Sequence, residues 1–246
     1  MAEETGHAKN VANFGIVISQ CTGFGPKYDP NKPALEIPAL TTLHTNAKLT
    51  LKTVHDTAPP WIEAVNQRQL AFEPLSSLVT RVIASLSASD ANLLIIEDAK
   101  TIARKIQGRR AEPKKKDDPS TPEDESEESI SASQMSFDNR INNFQALIAL
   151  LKNITEYNPN EAELKTTALD TVLDDLKTKN KAVIDTYGPL NDARKNRDRT
   201  LYLEPAGLVP IAKKVKEYVK SIYNASSIEY TQLNDINFKT PSKLFI

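Results

Sequence analysis

The chain repeats itself, and this constrains its fold more than any other feature. Shifted by 129 positions, residues 28–68 lie on 157–197 without a gap, and 15 of the 41 positions are identical. The identities include Tyr28/Tyr157, Pro30/Pro159, Asn31/Asn160, Leu35/Leu164, Leu40/Leu169, Val54/Val183, Asp56/Asp185, Pro60/Pro189, Ala64/Ala193 and Arg68/Arg197. A two-residue insertion follows in the second copy, after which Leu70/Leu201 and Glu73-Pro74/Glu204-Pro205 match again. Upstream, a shift of 130 pairs Val11/Ile141, Phe14/Phe144, Ile18/Ile148 and Cys21/Leu151. Self-similarity on this scale marks one structural unit used twice. The expected organisation is a first unit over 1–107, a connecting segment over 108–136, and a second unit over 137–246.

Each copy carries four apolar-periodic segments. The first has His7, Val11, Phe14, Ile18 and Cys21, answered by Phe137, Ile141, Phe144, Ile148 and Leu151. The alternating steps of four and three trace one helix face. Ser136 is placed to cap the second of these helices. The second segment has Leu40, Leu43, Ala47, Thr50 and Val54, answered by Leu169, Val172, Leu176, Lys179 and Val183. Pro59-Pro60 and Gly188-Pro189 are expected to end it, since proline removes a helical N–H and clashes with the preceding turn. The third carries Val65, Phe72, Val79 and Leu86, answered by Leu208, Ile211, Val215 and Ile222. The shared Glu-Pro inside this region either kinks a helix or starts a new one. The fourth runs over 91–107 with Gly108 as its C-cap, and its less periodic counterpart lies around 227–238. Sustained alternation of the strand type is absent. The reading is all-α: two tandem related helical units of about four helices each, forming up-and-down bundles or one pseudo-symmetric bundle.

The connecting segment is a basic run, Arg109 to Lys116, followed by an acidic one, Asp117 to Glu128, with three prolines and almost nothing apolar. Such a composition cannot bury enough surface to offset its ordering entropy, so a disordered linker is expected.

Composition closes several routes to chemistry. There are 7 Gly, against about 17 at average usage. A single Cys excludes an intramolecular disulfide and a multi-thiolate zinc site. Glu4 to His7 is the single Glu-x-x-His, whereas a di-iron bundle needs two. No P-loop, dinucleotide fingerprint, nucleophile elbow or His-Glu-x-x-His is present. Gly23-Phe24-Gly25-Pro26 reads as a turn closing the first helix.

The repeat also tests individual residues. A side chain kept in both copies serves the unit, and one replaced by an apolar residue occupies a core-type position. His7 faces Phe137, His44 faces Leu173, His55 faces Ile184 and Cys21 faces Leu151, so all four read as core positions. Trp61 faces Leu190 and reads as a core anchor. The kept residues are the candidate structural or binding set: Tyr28, Asn31, Asp56 and Arg68, with Tyr157, Asn160, Asp185 and Arg197. In Tyr-x-Pro-Asn the Asn is expected either to bond its own backbone or to cap the next helix, with the Tyr ring over the end of the core and its hydroxyl outward. Asp56 and Arg68, and likewise Asp185 and Arg197, flank the expected interhelical turn. They form either a structural ion pair or a carboxylate-binding clamp, since Arg presents a planar fork to anions.

The net charge is −1 and mean hydropathy −0.43, and residues 137–246 hold 16 basic against 14 acidic groups. That balance gives no support for sequence-specific nucleic-acid binding. No signal-type N-terminus or membrane-length apolar run is present, so a cytoplasmic location is expected, with signal-less export left open. The functional expectation is a non-enzymatic helical scaffold or adaptor that works through protein partners or self-association, without catalytic residues, cofactor or metal. The alternatives are a membrane-active helical bundle of pore-forming type, and a small-anion-binding bundle using Arg68 and Arg197.

Overall fold

A computed structural model describes the backbone of residues 2–108 and 136–245, with side chains from Gly6 onward. The expected disordered linker, 108–136, lies outside the described residues except for its two end residues, Gly108 and Ser136. Among the described residues the protein is all-helical. In chain order the helices are α1 (Ala2–Gly23), α2 (Ile37–Phe72), α3 (Leu75–Ser87), α4 (Leu93–Gln107), α5 (Phe137–Lys152), α6 (Thr166–Tyr202), α7 (Leu208–Tyr223) and α8 (Ile228–Asn234). Four of these helices precede residues 109–135 and four follow them.

Several helix ends follow from local chemistry. The Ser136 hydroxyl accepts from Asn139 N–H at the start of α5, and Asn92 Oδ1 accepts from Leu94 N–H at the start of α4. Gly108 closes α4 in the left-handed region, φ 66°, which costs glycine no Cβ clash. At the entrance to α7 Gly207 is required for a different reason. A Cβ there would lie 2.8 Å from Leu203 N and 2.9 Å from Leu203 O.

The prolines do not behave as the sequence suggests. α2 runs unbroken through Pro59-Pro60, and α6 through Gly188-Pro189. The helical N–H groups that Pro59, Pro60 and Pro189 lack would have met the carbonyls of His55, Asp56 and Asp185, all of them exposed residues. On the opposite face Val54, Leu190 and Ala193 are buried, with Ala58 and Trp61 packed against them. That packing lies beside the prolines, and the helices continue through them. The break falls instead at the shared Glu-Pro: α2 ends at Phe72 and Pro74 is the N-cap of α3.

The compact units do not coincide with the two sequence copies. One consists of residues 1–61 with 185–246, the other of residues 62–184. We call them unit 1 and unit 2. Each takes the front half of one copy and the back half of the other, with the divisions falling inside α2 and α6. The cores divide the same way. Unit 1 packs Val11, Phe14, Val17, Leu40 and Ala47 of α1 and α2 with Leu208, Ile211, Val215 and Val219 of α7. Unit 2 packs Val79, Val82, Leu86, Ile96 and Ile106 of α3 and α4 with Phe144, Ile148, Leu151, Leu169 and Leu176 of α5 and α6. In α6 the expected Leu169, Leu176 and Val183 are buried and Val172 packs partly buried against the core, while Leu173 and Asn180 are buried in addition and Lys179 is only partly buried.

Candidate functional site

Each copy closes the loop before its long helix in the same way. Tyr28 and Tyr157 are buried, and their hydroxyls donate to the carbonyls of Leu35 and Leu164, both at 2.7 Å. The hydroxyls therefore point inward, not outward as expected from sequence. The reason is the buried main-chain acceptor seven residues on, which needs a donor. Burial pushes the Tyr157 hydroxyl up to about 12 and raises that of Tyr28 further. Asn31 and Asn160 are exposed, and the following 3-10 turns take Lys32 and Glu161 as their N-cap positions. The expected Asn capping is therefore not what starts these elements.

The continuous long helices also separate the acid and base expected to meet. Asp56 and Arg68 lie on one unbroken helix, twelve residues and so about 18 Å apart along its axis. The same holds for Asp185 and Arg197. Asp56 instead pairs with Lys52 one turn back, with both side chains exposed. Such a pair contributes a few tenths of a kcal/mol.

The two arginines occupy matching places in units 2 and 1. In unit 2 the Arg68 guanidinium lies 3.9 Å from the centroid of the Phe137 ring and donates to Asn180 Oδ1 at 3.1 Å. Asn180 in turn donates to Asp138 Oδ1 at 2.7 Å. Phe137 meets Phe72 edge-on at 4.8 Å, and Arg140 donates to the Phe72 carbonyl at 3.3 Å. Arg68 Nε and Arg140 Nε are buried without a partner.

In unit 1 the same corner is polar. Arg197 and Asp198 are buried almost completely, and Arg197 Nε donates to Asp198 Oδ1 at 2.8 Å. His7 Nδ1 lies 2.7 Å from the Tyr202 hydroxyl, which also receives Asn10 Nδ2 at 3.1 Å. His7 and Asn10 are each 2% exposed. The segment after α8 completes the cluster. Lys239 N–H donates to Asn10 Oδ1 at 3.0 Å while Asn10 Nδ2 donates to the Lys239 carbonyl at 2.6 Å. Phe245 N–H donates to Asp198 Oδ2 at 2.9 Å, and Asn13 donates to the Asn237 carbonyl. Of this cluster, sequence reasoning singled out Arg197 for the candidate set and read His7 as a core position. The missed residues had a faint signal: Asn10 faces Arg140 and Asp198 faces Gln69, both non-apolar.

The other singled-out residues divide. Cys21 is 1% exposed, and burial pushes its thiol up to about 12, so it is an inert small side chain at neutral pH. His44 is half-buried against Phe14, with Nε2 buried and unpartnered. Burial, and secondarily Lys48, lower its pKa. His55 is exposed, as is its counterpart Ile184 at 64%. The repeat comparison marked an apolar position there that is not a core position. Among the described residues no His, Cys, Asp and Glu group has the arrangement of a metal site, and no helix is long and apolar enough to cross a membrane. Protein-family models, curated proteins and solved structures give no match to the chain.

Proposed function

We propose that the protein is a non-enzymatic helical scaffold or adaptor that binds other protein surfaces, including its own. The observation that carries this reading is an apolar side chain standing in solvent at the same place in both copies. Leu93 and Leu94 open α4 and are 77% and 76% exposed, and Ile228 opens α8 and is 72% exposed. A single exposed Leu is ordinary. The same feature at the first helical position after an Asn or Ser cap in both copies is a reason to look for a partner there. The residues kept in both copies also support it, because Tyr28 and Tyr157 spend their polar atoms on holding the helix entry.

The reading is tested by placing a photo-crosslinking residue at 94 or 228, with exposed Asp98 and Gln232 as control positions. Protein adducts should concentrate at 94 and 228. Equal yields at all four positions would refute the reading. Leakage of dye from liposomes, which the membrane-active alternative requires, should not occur.

A further inference from the structure

We propose that the groove holding residues 236–245 on unit 1 also accepts this segment from a second copy, so that two chains associate by exchanging it. The segment, which is neither helix nor strand, lies against α1 and α6 as a strap. Three of its backbone stations are gripped by side chains: Lys239 by both atoms of the Asn10 amide, Asn237 by Asn13, and Phe245 by Asp198. Lys216 holds its start by donating to the Ile236 carbonyl at 2.6 Å. Grips on backbone atoms are the means by which proteins receive an extended peptide in trans.

The grips and the strap are unequal in burial. Asn10 and Asp198 are 2% and 0% exposed, whereas no residue of the strap reaches the buried class. Ile236, Phe238 and Leu244 are only partly buried against the core. A segment with so little buried apolar surface opens at a lower cost than the helices beneath it. Opening removes the backbone partners of Asp198 Oδ2 and of the Asn10 amide, while their contacts to Arg197 and Tyr202 remain. The sequence seen to satisfy both, with apolar contacts in register, is that of the strap itself. A second copy supplies that sequence, which is the physical basis of exchange between identical chains.

The inference rests on the self-association reading above but uses none of residues 93, 94 and 228, so a Leu94→Glu/Ile228→Glu variant separates the two. The test is complementation between full-length variants. Asn10→Ala/Asn13→Ala damages the groove and keeps the strap, while Phe238→Asp/Leu244→Asp damages the strap and keeps the groove. Each alone should sediment at the mass of one 27.3 kDa chain, and the mixture should form a 1:1 complex. Two folded variants that stay monomeric on mixing would overturn the proposal. Should the groove variant fail to fold, a labelled peptide of residues 235–245 tests the same point. It should bind the strap-damaged chain at least about tenfold tighter than the wild type, whose own strap competes at high effective concentration. Equal binding to both, or binding to neither, would overturn it.

Discussion

The matching corners of units 1 and 2 share a helical framework and differ in chemistry. Unit 2 fills its corner with Phe72 and Phe137, crossed by the Arg68 guanidinium. Unit 1 places Tyr202 and His7 there and buries Arg197 with Asp198 beside them. What lies over the first helix of each copy accounts for the difference. α4 continues to Gln107 and supplies Ala103 and Ile106 to the core over α5. α8 stops at Asn234, and a non-helical segment whose backbone groups have no helical partners covers α1 instead. Those groups need side-chain partners, so the surface beneath them is polar. A helix brings its own hydrogen bonds and can sit on an aromatic surface. The repeat therefore preserves the framework, while the covering element sets the polarity of what it covers.

The largest effect that would break this comparison is at Asp198. Asp198→Ala removes the carboxylate that serves Arg197 and the Phe245 amide. It should cost about 3–5 kcal/mol in urea unfolding, as for one partner of a buried pair. Gln69→Ala, at the exposed matching position, should stay within about 0.5 kcal/mol. The tyrosine clamps probe the shared part. Tyr28→Phe and Tyr157→Phe should each cost about 1–3 kcal/mol, since each leaves a buried carbonyl without its donor. The two losses should agree within error; a wide gap would show that the copies use the clamp differently. Arg68→Ala should cost about 1–2 kcal/mol, from the lost ring contact and the bond to Asn180. Arg68→Lys should recover part of that, because an ammonium reproduces the charge but not the fork.

The smallest effect at neutral pH concerns His44, whose counterpart is the buried Leu173. Its pKa is lower in the folded protein than in the unfolded chain. Between the two values the unfolded chain binds the extra proton, so stability is full above the unfolded value, about 6.5, and falls as pH drops below it. His44→Leu should flatten that fall between pH 7 and pH 5 in denaturation curves. A variant with an unchanged slope would assign the acid sensitivity elsewhere.

Helix existence was legible because the apolar rows recur at steps of three and four in both copies. The caps at Ser136 and Gly108 were legible because few residue types serve those positions. The unbroken α2 and α6 were not. A Pro-Pro pair is a strong local stop, yet the helix runs on, with Val54, Trp61, Leu190 and Ala193 packed beside it. That one misreading placed Asp56 and Asp185 beside their arginines, because the ion pair depended on a turn that does not form. The Tyr hydroxyls were misdirected because a buried carbonyl seven residues away leaves no trace in composition or periodicity. Asn10 and Asp198 stayed unseen because, beside Tyr202 and Arg197, their partners are backbone atoms of residues 239 and 245, which carry no side-chain signature.

The division of the chain into units has a consequence for its synthesis. Unit 2 is one continuous stretch and can complete its core as soon as residue 184 has left the ribosome. Unit 1 cannot. Its first 61 residues emerge early, with the apolar faces of α1 and the front of α2 lacking α7. They must wait for about 150 further residues before α7 emerges, which at 5–20 residues per second is on the order of 7–30 s. Throughout that interval Val11, Phe14, Val17 and Leu40 have no partner from the back half of the chain. Nascent chains stalled near residue 200 should therefore engage chaperones through residues 1–61, while residues 62–108 and 136–184 are already protected from protease.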